Sequence, residues 1–258
     1  MRVIVLIKEV PDTYGARKLD LQTGLADRAA TEAVVDEISE RALEVALAYA
    51  DTHDGTEVVA LTMGPPSAAA ALRKALAMGA SEAIHVVDDV LAGSDLLTTA
   101  EVLAAAIRGT TFDLIIAGDR STDGSGGALP AALAEFLDVP HATALGSVEL
   151  TASDVTGTRA TTRATSTVVA ALPAVISITE ALPDPRFAGF KGIMAAKKKP
   201  LTSLSAADLG VARDDESRAH SIVVGIAERP ARVAGVKIVD EGDAAEQLVA
   251  FLADAKAL

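Results

Sequence analysis

The residue types best suited to chemistry lie in the loop AGDRSTDGSGGALP, which runs from Ala117 to Pro130. It follows an apolar run predicted as a strand and precedes a predicted helix, the place where open α/β sheets bind ligands. Its glycines let backbone N–H groups turn toward a ligand, and the N-terminus of the following helix adds a positive dipole end. The loop therefore predicts either a nucleotide-phosphate site or an ordinary strand-to-helix turn in which glycine serves conformation alone.

The polar side chains of this loop suit a phosphate or a sugar. Ser121, Thr122 and Ser125 are neutral donors for phosphate oxygens, whereas Asp123 would repel a phosphate and is expected to meet a ribose hydroxyl or a backbone N–H. The loop is not a Walker A motif, because no Lys-Ser or Lys-Thr follows the glycines, and their spacing is not that of the dinucleotide fingerprint. The four histidines are scattered, so we predict no metal site, and no acid/base or nucleophile constellation stands out.

A second unusual segment is PRFAGFKGIMAAKKKP, from Pro185 to Pro200, which holds two of the five phenylalanines and three consecutive lysines. Pro185 and Gly189 argue against regular structure at its start, and the pattern from Gly192 favours a short helix with lysines at its C-terminal end. One interpretation is a solvated surface helix stopped by Pro200. The other is a docking segment, whose apolar anchor and basic flank bind a pocket with an acidic rim.

Composition limits the classes of protein to which the chain can belong. It has 258 residues, half of them hydrophobic, and a formal net charge of -13. This charge argues against general nucleic-acid binding, which needs a positive face. The absence of cysteine excludes disulfides and thiolate sites and fits a reducing cytoplasm. The apolar run near the N-terminus is too short for a signal peptide or a membrane span, so we expect no integral membrane protein.

The order of elements predicts an α/β fold, with a Rossmann-like parallel sheet covered by helices on both faces. Apolar runs that are typical of buried strands alternate with helical patterns through about residue 145. Predicted strands span residues 3–7, 57–62, 83–87, 113–117 and 174–179. Predicted helices span residues 32–50, 68–78 with Ser67 as the cap, 96–107 and 129–137.

Two regions depart from this pattern. Residues 147–169 alternate Thr, Val and small residues around Gly157, which predicts an antiparallel hairpin at a sheet edge. From Leu201 onward, sustained periodicity is missing until a predicted closing helix at residues 244–258. We therefore expect a nucleotide-binding domain at residues 1–200 and an extended C-terminal arm at residues 201–258.

Taken together, these stretches resemble the β subunit of electron transfer flavoproteins, in the form common to bacteria and mitochondria. The resemblance covers nearly the whole chain, and its matching motifs are VLIKEVPD, DEISERALEVAL, GPPSAAAALRKALAMGASEAIHV, AGDRSTDGSGGALPAALAEFLDVP, LPAVISITEALPDPRFAGFKGIMAAKKKP and RVAGVKIVDEG.

The resemblance implies a heterodimer with an α subunit, around which the C-terminal arm wraps. The heterodimer holds one FAD, mostly in α, and carries single electrons from acyl-CoA or other flavin dehydrogenases to a membrane quinone oxidoreductase. It also implies a structural AMP in this chain. The implied AMP site comprises Leu6, Asp36, Glu37, Ile38, Ser39, Met63, Gly118, Asp119, Arg120, Ser121, Thr122, Asp123, Gly124, Ser125, Gly126, Gly127, Ala128 and Leu129.

The family's recognition loop for dehydrogenases matches the segment PRFAGFKGIM, and its apolar anchor falls on Phe190. The residues that the resemblance implies for partner binding are Pro185, Arg186, Phe187, Phe190, Ile193, Met194, Lys197, Lys198 and Lys199. Family members also carry acids after the arginine that matches Arg159, where this chain has Ala160, Thr162 and Arg163. This difference implies either that the usual contact with the FAD domain of α is altered or that the chain is a specialised paralogue.

The nucleotide loop, DGSGGALP, matches neither the Asn-Gln-Thr text of AMP-binding members nor the Asp-Gly-Asp-Thr text of electron-bifurcating members. Two alternatives therefore stay open beside the AMP-containing carrier. One is a bifurcating β subunit that binds its own FAD. The other is a stand-alone protein that binds or hydrolyses adenine nucleotides.

Overall fold

The computed structural model describes residues 1–15, 18–211 and 219–257. Its strands are β1 (Arg2–Leu6), β2 (Glu9–Pro11), β3 (Ala33–Val35), β4 (Glu57–Met63), β5 (Glu82–Val86), β6 (Leu114–Gly118), β7 (His141–Leu145), β8 (Ser147–Leu150), β9 (Asp154–Ala160), β10 (Thr165–Ala171), β11 (Ala174–Ile178) and β12 (Leu201–Leu204). Its α-helices are α1 (Glu37–Ala50), α2 (Ala69–Met78), α3 (Leu96–Arg108), α4 (Leu129–Leu137), α5 (Phe190–Ala196) and α6 (Ala244–Asp254).

Seven parallel strands form the main sheet, in the order β12-β5-β4-β1-β6-β11-β7. Side chains of β1 alternate between its two faces, as the pleat requires. Val3 and Val5 pack in the core beneath α1 and α2, whereas Ile4 and Leu6 pack in the core beneath α3 and α4. The predicted fold class, a parallel sheet with helices on both faces, is confirmed.

The first predicted helix began too early. Residues 33–35 form β3, which pairs antiparallel with β2, and α1 begins only at Glu37. The carboxylate of Asp36 accepts a hydrogen bond from the N–H of Ile38 at 3.0 Å and so caps the helix. Apolar residues at positions 33–35 suit a strand as well as a helical turn, so the pattern alone did not place the cap.

The predicted cap of the second helix was also wrong. A short 3₁₀ turn at Pro66–Ala68 precedes α2, which begins at Ala69. The hydroxyl of Ser67 donates instead to Oε1 of Glu9 at 2.6 Å. A buried carboxylate 58 residues earlier in the chain competes for this hydroxyl, and local sequence does not reveal it.

The region predicted as one hairpin contains three antiparallel strands, in the order β10-β9-β8, that lie beside β7. Gly157 lies within β9 rather than in a turn, paired with Val148 and Val168. A Cβ at this position would lie 2.5 Å from the carbonyl oxygen of Ser147, so glycine permits a close approach of two strands. In sequence, a glycine of this kind is indistinguishable from a turn glycine.

The chain divides into two compact units, Met1–Val224 and Gly225–Leu258. Leu201–Leu204, the first residues of the expected arm, form β12 and pair with β5, so they belong to the main sheet. The division into residues 1–200 and 201–258 stays a prediction. Within the second unit, α6 leaves Leu248, Val249 and Phe251 about half exposed.

In the part of the chain that the structure describes, every helix is too short or too polar to cross a membrane.

Candidate functional sites

A cavity of about 800 Å³ opens where β1, β4, β5 and β6 end. Its volume lies within the range of roughly 300–1,000 Å³ that is typical of small-molecule and cofactor sites. The predicted nucleotide residues that line it are Leu6, Asp36, Ser39, Met63, Gly118, Asp119, Arg120, Ser121, Gly124, Gly126, Gly127 and Leu129. The topology thus gathers residues from four separate parts of the sequence at one edge of the sheet, as expected for this fold.

The other predicted nucleotide residues lie outside the lining of this cavity. They are Glu37, Ile38, Thr122, Asp123, Ser125 and Ala128. Glu37 and Thr122 instead line a smaller cavity of about 170 Å³, together with Asp36. Ile38 packs beneath Gly118, where a Cβ on the glycine would lie 2.9 Å from its Cγ2. These six residues thus lie in the loop or in the first turn of α1, next to the main cavity.

Asp36 joins helix α1 to the loop after β6. Its carboxylate, on a residue only 1% exposed, accepts hydrogen bonds from the N–H of Ile38 and, at 2.7 and 3.0 Å, from the N–H and hydroxyl of Thr122. These bonds compensate for the cost of burying the carboxylate. Asp36 therefore fixes the loop at the cavity edge.

The glycine-rich part of the loop contains residues with positive φ angles, as its glycine content suggests. Gly127 has φ +67°, and Ser125 has φ +50°, a region that residues other than glycine seldom adopt. Both the N–H and the hydroxyl of Ser125 donate to the carbonyl oxygen of Ser121, which stabilises this conformation. The chain then enters α4, and none of the described side chains caps its first turn. The free N–H groups of such a turn attract anions.

Sequence reasoning missed two cationic residues of the cavity, Lys8 and Arg28. The ammonium group of Lys8 donates to Oγ of Ser121 at 3.0 Å and to Oδ1 of Asp123 at 2.7 Å. Arg28 approaches the other oxygen of Asp123 at 3.4 Å and donates to the carbonyl oxygen of Glu9. The available signal for Lys8 was its position directly after the first buried strand.

Asp123 organises these cations. Burial raises its pKa, but hydrogen bonds from Lys8 and Ser121 and the nearby ammonium charge outweigh this effect, so the pKa lies below its usual value. It also accepts a bond from the N–H of Gly124 at 2.6 Å, which agrees with the expectation of a backbone partner. The carboxylate holds Lys8 at the edge of the glycine loop.

The second candidate site is the docking segment, Pro185–Lys199. Phe187 is 99% exposed and Phe190, the first residue of α5, is 79% exposed. Ile193 and Met194 are each 47% exposed, and Lys197 and Lys198 are also exposed. The segment thus presents large apolar side chains to solvent beside positive charge, which is typical of an interaction site.

Two of the residues predicted to bind a partner, Arg186 and Lys199, make contacts within the protein. Arg186 binds both carboxylate oxygens of Glu44 at 2.8 Å and Oδ2 of Asp51 at 2.8 Å. Hydrogen bonds to Glu44, followed by those to Asp51, raise the pKa of the Arg186 guanidinium. Lys199 donates to the carbonyl oxygens of Leu76 and Ala80, and burial lowers its pKa.

The turn that lacks the expected acids lies between β9 and β10. Arg159 donates from Nε to the carbonyl oxygen of Thr143 at 2.7 Å, whereas Ala160, Thr162 and Arg163 are exposed.

Within the described residues, no cluster of acidic, histidine or cysteine side chains has the arrangement of a metal site.

Comparisons with known proteins agree with this architecture. Residues 23–209 match the family model described as "Electron transfer flavoprotein domain". The chain is 47% identical over 259 residues, and 97% of each chain, to the electron transfer flavoprotein subunit beta of Mycobacterium tuberculosis, and 46% identical to that of Mycobacterium leprae over the same share. It is 34% identical to the "Caffeyl-CoA reductase-Etf complex subunit CarD" of Acetobacterium woodii, over 82% of this chain and 80% of that one. The chain belongs to the electron transfer flavoprotein β-subunit family, whose role is electron transfer.

Proposed function

We propose that this chain is the β subunit of a heterodimer that carries single electrons from flavin dehydrogenases to a membrane quinone oxidoreductase. The observation that carries the proposal is the exposed docking segment, on a chain that matches β subunits along 97% of its length. The α subunit holds most of the FAD, and this flavin supplies the electron-transfer chemistry. The cytoplasmic location, which the absence of cysteine favours, stays a prediction.

The main cavity holds one AMP in a structural role. The residues present fit this ligand: the glycine loop and the start of α4 supply N–H donors for a phosphate, and apolar residues such as Leu6 and Met63 suit a base. Lys8 and Arg28 add the charge that a phosphate needs. An ammonium has three donor hydrogens, and the described contacts of Lys8 use two of them.

The docking segment binds the dehydrogenase. Phe190 inserts into an apolar pocket of the partner, and Lys197 and Lys198 face an acidic rim. Burial of one phenylalanine side chain contributes about 1.5–3 kcal/mol, which suits a contact that must release at each turnover. The C-terminal arm wraps the α subunit, and the exposed apolar side chains of α6 support this role.

The experiment that tests the nucleotide assignment is co-expression of the chain with its α subunit, followed by denaturation and chromatography of the released nucleotides. We expect one FAD and one AMP per heterodimer. Two FAD and no AMP would favour the bifurcating alternative and make the cavity a flavin site. Hydrolysis of ATP by the chain without α would favour the stand-alone alternative.

Lys8→Met tests the phosphate contact. It should lower the affinity for AMP by about 10-fold or more, because it removes a charge-assisted hydrogen bond worth about 1.5–3 kcal/mol. The FAD content should not change. Lys74→Met, which removes a surface lysine paired with Glu40, is the matched control and should retain AMP.

Phe190→Ala tests the docking assignment. It should slow reduction of the heterodimer by its dehydrogenase while leaving FAD and AMP content unchanged. An unaltered rate would remove Phe190 as the anchor.

A further inference from the structure

The docking segment is attached to the body of the protein at its start by charged groups of α1. Arg41 donates to the carbonyl oxygen of Leu182 and, at 2.5 Å, to the carboxylate of Asp184. One turn further along the helix, Glu44 accepts two bonds from the guanidinium of Arg186 and a third from its backbone N–H at 3.0 Å. A bidentate arginine–carboxylate pair fixes orientation as well as distance. Both the side chain and the backbone of Arg186 are therefore held.

The end of the segment is attached to α2. Arg73 donates to the carbonyl oxygens of Ala196 at 2.8 Å and Lys199 at 3.3 Å, next to the C-terminus of α5. Lys199 donates in the opposite direction, to the carbonyl oxygens of Leu76 at 2.9 Å and Ala80 at 2.6 Å, at the C-terminus of α2. One carbonyl group in the last turn of each helix, that of Ala196 in α5 and that of Leu76 in α2, is thus satisfied by a cation from the other segment.

Between these attachments, α5 lies directly on α2. A Cβ at Gly192 would lie 2.2 Å from the carbonyl oxygen of Ala77, a distance that no side chain tolerates. Ala196, on the same helix, is buried. Phe187 and Phe190 remain exposed, so the segment is held along its length while its aromatic side chains contact solvent.

We infer that Arg186 is a positioning residue, which orders Phe187 and Phe190 for docking through its pair with Glu44, rather than a residue that binds the dehydrogenase. This inference rests on the proposed docking function and assigns a role to Glu44, a residue of α1 outside the segment. The guanidinium of Arg186 is directed to two carboxylates of the same chain, so its charge is already neutralised before a partner arrives.

The physical reason is the entropy of association. A mobile segment must be ordered when it binds, at a cost of about 0.5–1.5 kcal/mol for each side chain immobilised. A segment ordered in advance avoids this cost, and the gain is realised in affinity rather than in the electron-transfer step. Glu44 and Arg186 should therefore affect the KM for the heterodimer as electron acceptor and leave kcat unchanged.

The test uses the purified heterodimer and an acyl-CoA dehydrogenase that reduces it, with octanoyl-CoA as reductant. Glu44→Gln removes the charge of the acceptor without touching the docking segment. We expect a rise in KM of roughly 3- to 10-fold with unchanged kcat, together with faster hydrogen exchange of the amides in residues 187–196. Arg186→Gln should have the same effect, Arg186→Lys should recover part of it, and the double variant should be no worse than either single one.

Glu40→Gln is the matched control, because Glu40 lies one turn earlier on α1 and pairs with Lys74 instead. It should leave KM unchanged, and circular dichroism should show that every variant is folded. A raised KM in Arg186→Gln with a normal KM in Glu44→Gln would mean that Arg186 binds the partner directly and would overturn the inference. Equal effects of Glu40→Gln and Glu44→Gln would also overturn it. An unchanged KM in Phe190→Ala would instead remove Phe190 as the docking anchor, which is a failure of the proposed function and not of the Arg186–Glu44 pair.

Discussion

The glycine loop at residues 118–129 and the docking segment at residues 185–199 follow two neighbouring strands of one sheet, β6 and β11, yet they present opposite surfaces. The loop directs backbone donors into a cavity, and carboxylates hold it in place. The docking segment directs aromatic side chains into solvent, and it is held in place by the carboxylate of Glu44 at its start and by the guanidinium of Arg73 at its end. The two regions therefore differ in what they present: the loop offers polar donors to a cavity, whereas the docking segment offers apolar side chains to solvent.

Helix α1 supports both regions. Asp36 at its N-terminus binds the loop, and Glu44 in its second half binds the docking segment. The two contacts differ in burial: Asp36 is 1% exposed, whereas the side chains of Glu44 and Arg186 are 19% and 32% exposed. Breaking a buried contact leaves donors without water, so it costs more than breaking a partly exposed one. The following predictions are therefore given from the largest expected effect to the smallest.

Asp36→Ala should have the largest effect. It removes the cap of α1 and the carboxylate that accepts from the partly buried N–H and hydroxyl of Thr122, which should lower the free energy of unfolding by about 2–4 kcal/mol. Urea unfolding measures the loss, and AMP content should fall with it. Glu37→Ala, at the adjacent exposed position, is the control and should cost less than about 1 kcal/mol. Loss of docking without loss of AMP would contradict the separation of the two regions.

Gly192→Ala should have an intermediate effect, confined to the docking segment. The added methyl would meet the carbonyl oxygen of Ala77 and force α5 away from α2, at a cost of about 1–3 kcal/mol. The KM for the heterodimer should rise, while AMP content stays constant. Gly189→Ala is a matched control, since a Cβ there meets no atom within 4 Å. If both variants dock normally, close packing of α5 is irrelevant to docking.

Asp51→Asn should have the smallest effect. Hydrogen bonding from Arg186 lowers the pKa of Asp51 below its usual 3.8, against a smaller opposing effect of burial. The pair therefore contributes to stability above about pH 3.8 and loses this contribution as the pH falls through the lowered value. At pH 7 the variant should lose about 0.5 kcal/mol or less, as for exposed pairs. Thermal unfolding of both proteins from pH 7 to pH 3 checks this, and a difference that grows in acid would contradict it.

Local patterns predicted the elements that are apolar and regular. The helix at residues 129–137 was predicted with its observed bounds, and five of the seven strands of the main sheet were placed within one residue, whereas β7 and β12 were not predicted. The start of α1, the cap of α2 and the single hairpin at residues 147–169 were predicted wrongly, because β3 pairs with β2, Ser67 binds Glu9 and Gly157 lies in the middle strand of a three-stranded sheet. The cavity contained most of the predicted nucleotide residues but also Lys8 and Arg28, which no motif indicated.

The amino-acid sequence was sufficient for the layered α/β fold, the position of the glycine loop and the unusual concentration of phenylalanine and lysine at residues 185–199. These features depend on hydrophobic periodicity and backbone preference, which act over a few residues. Only the tertiary structure determined which polar and charged side chains contact each other. Thr122 reaches Asp36 across 86 positions and Arg186 reaches Glu44 across 142, because the sheet and α1 bring distant segments within the 3 Å or so that a hydrogen bond requires.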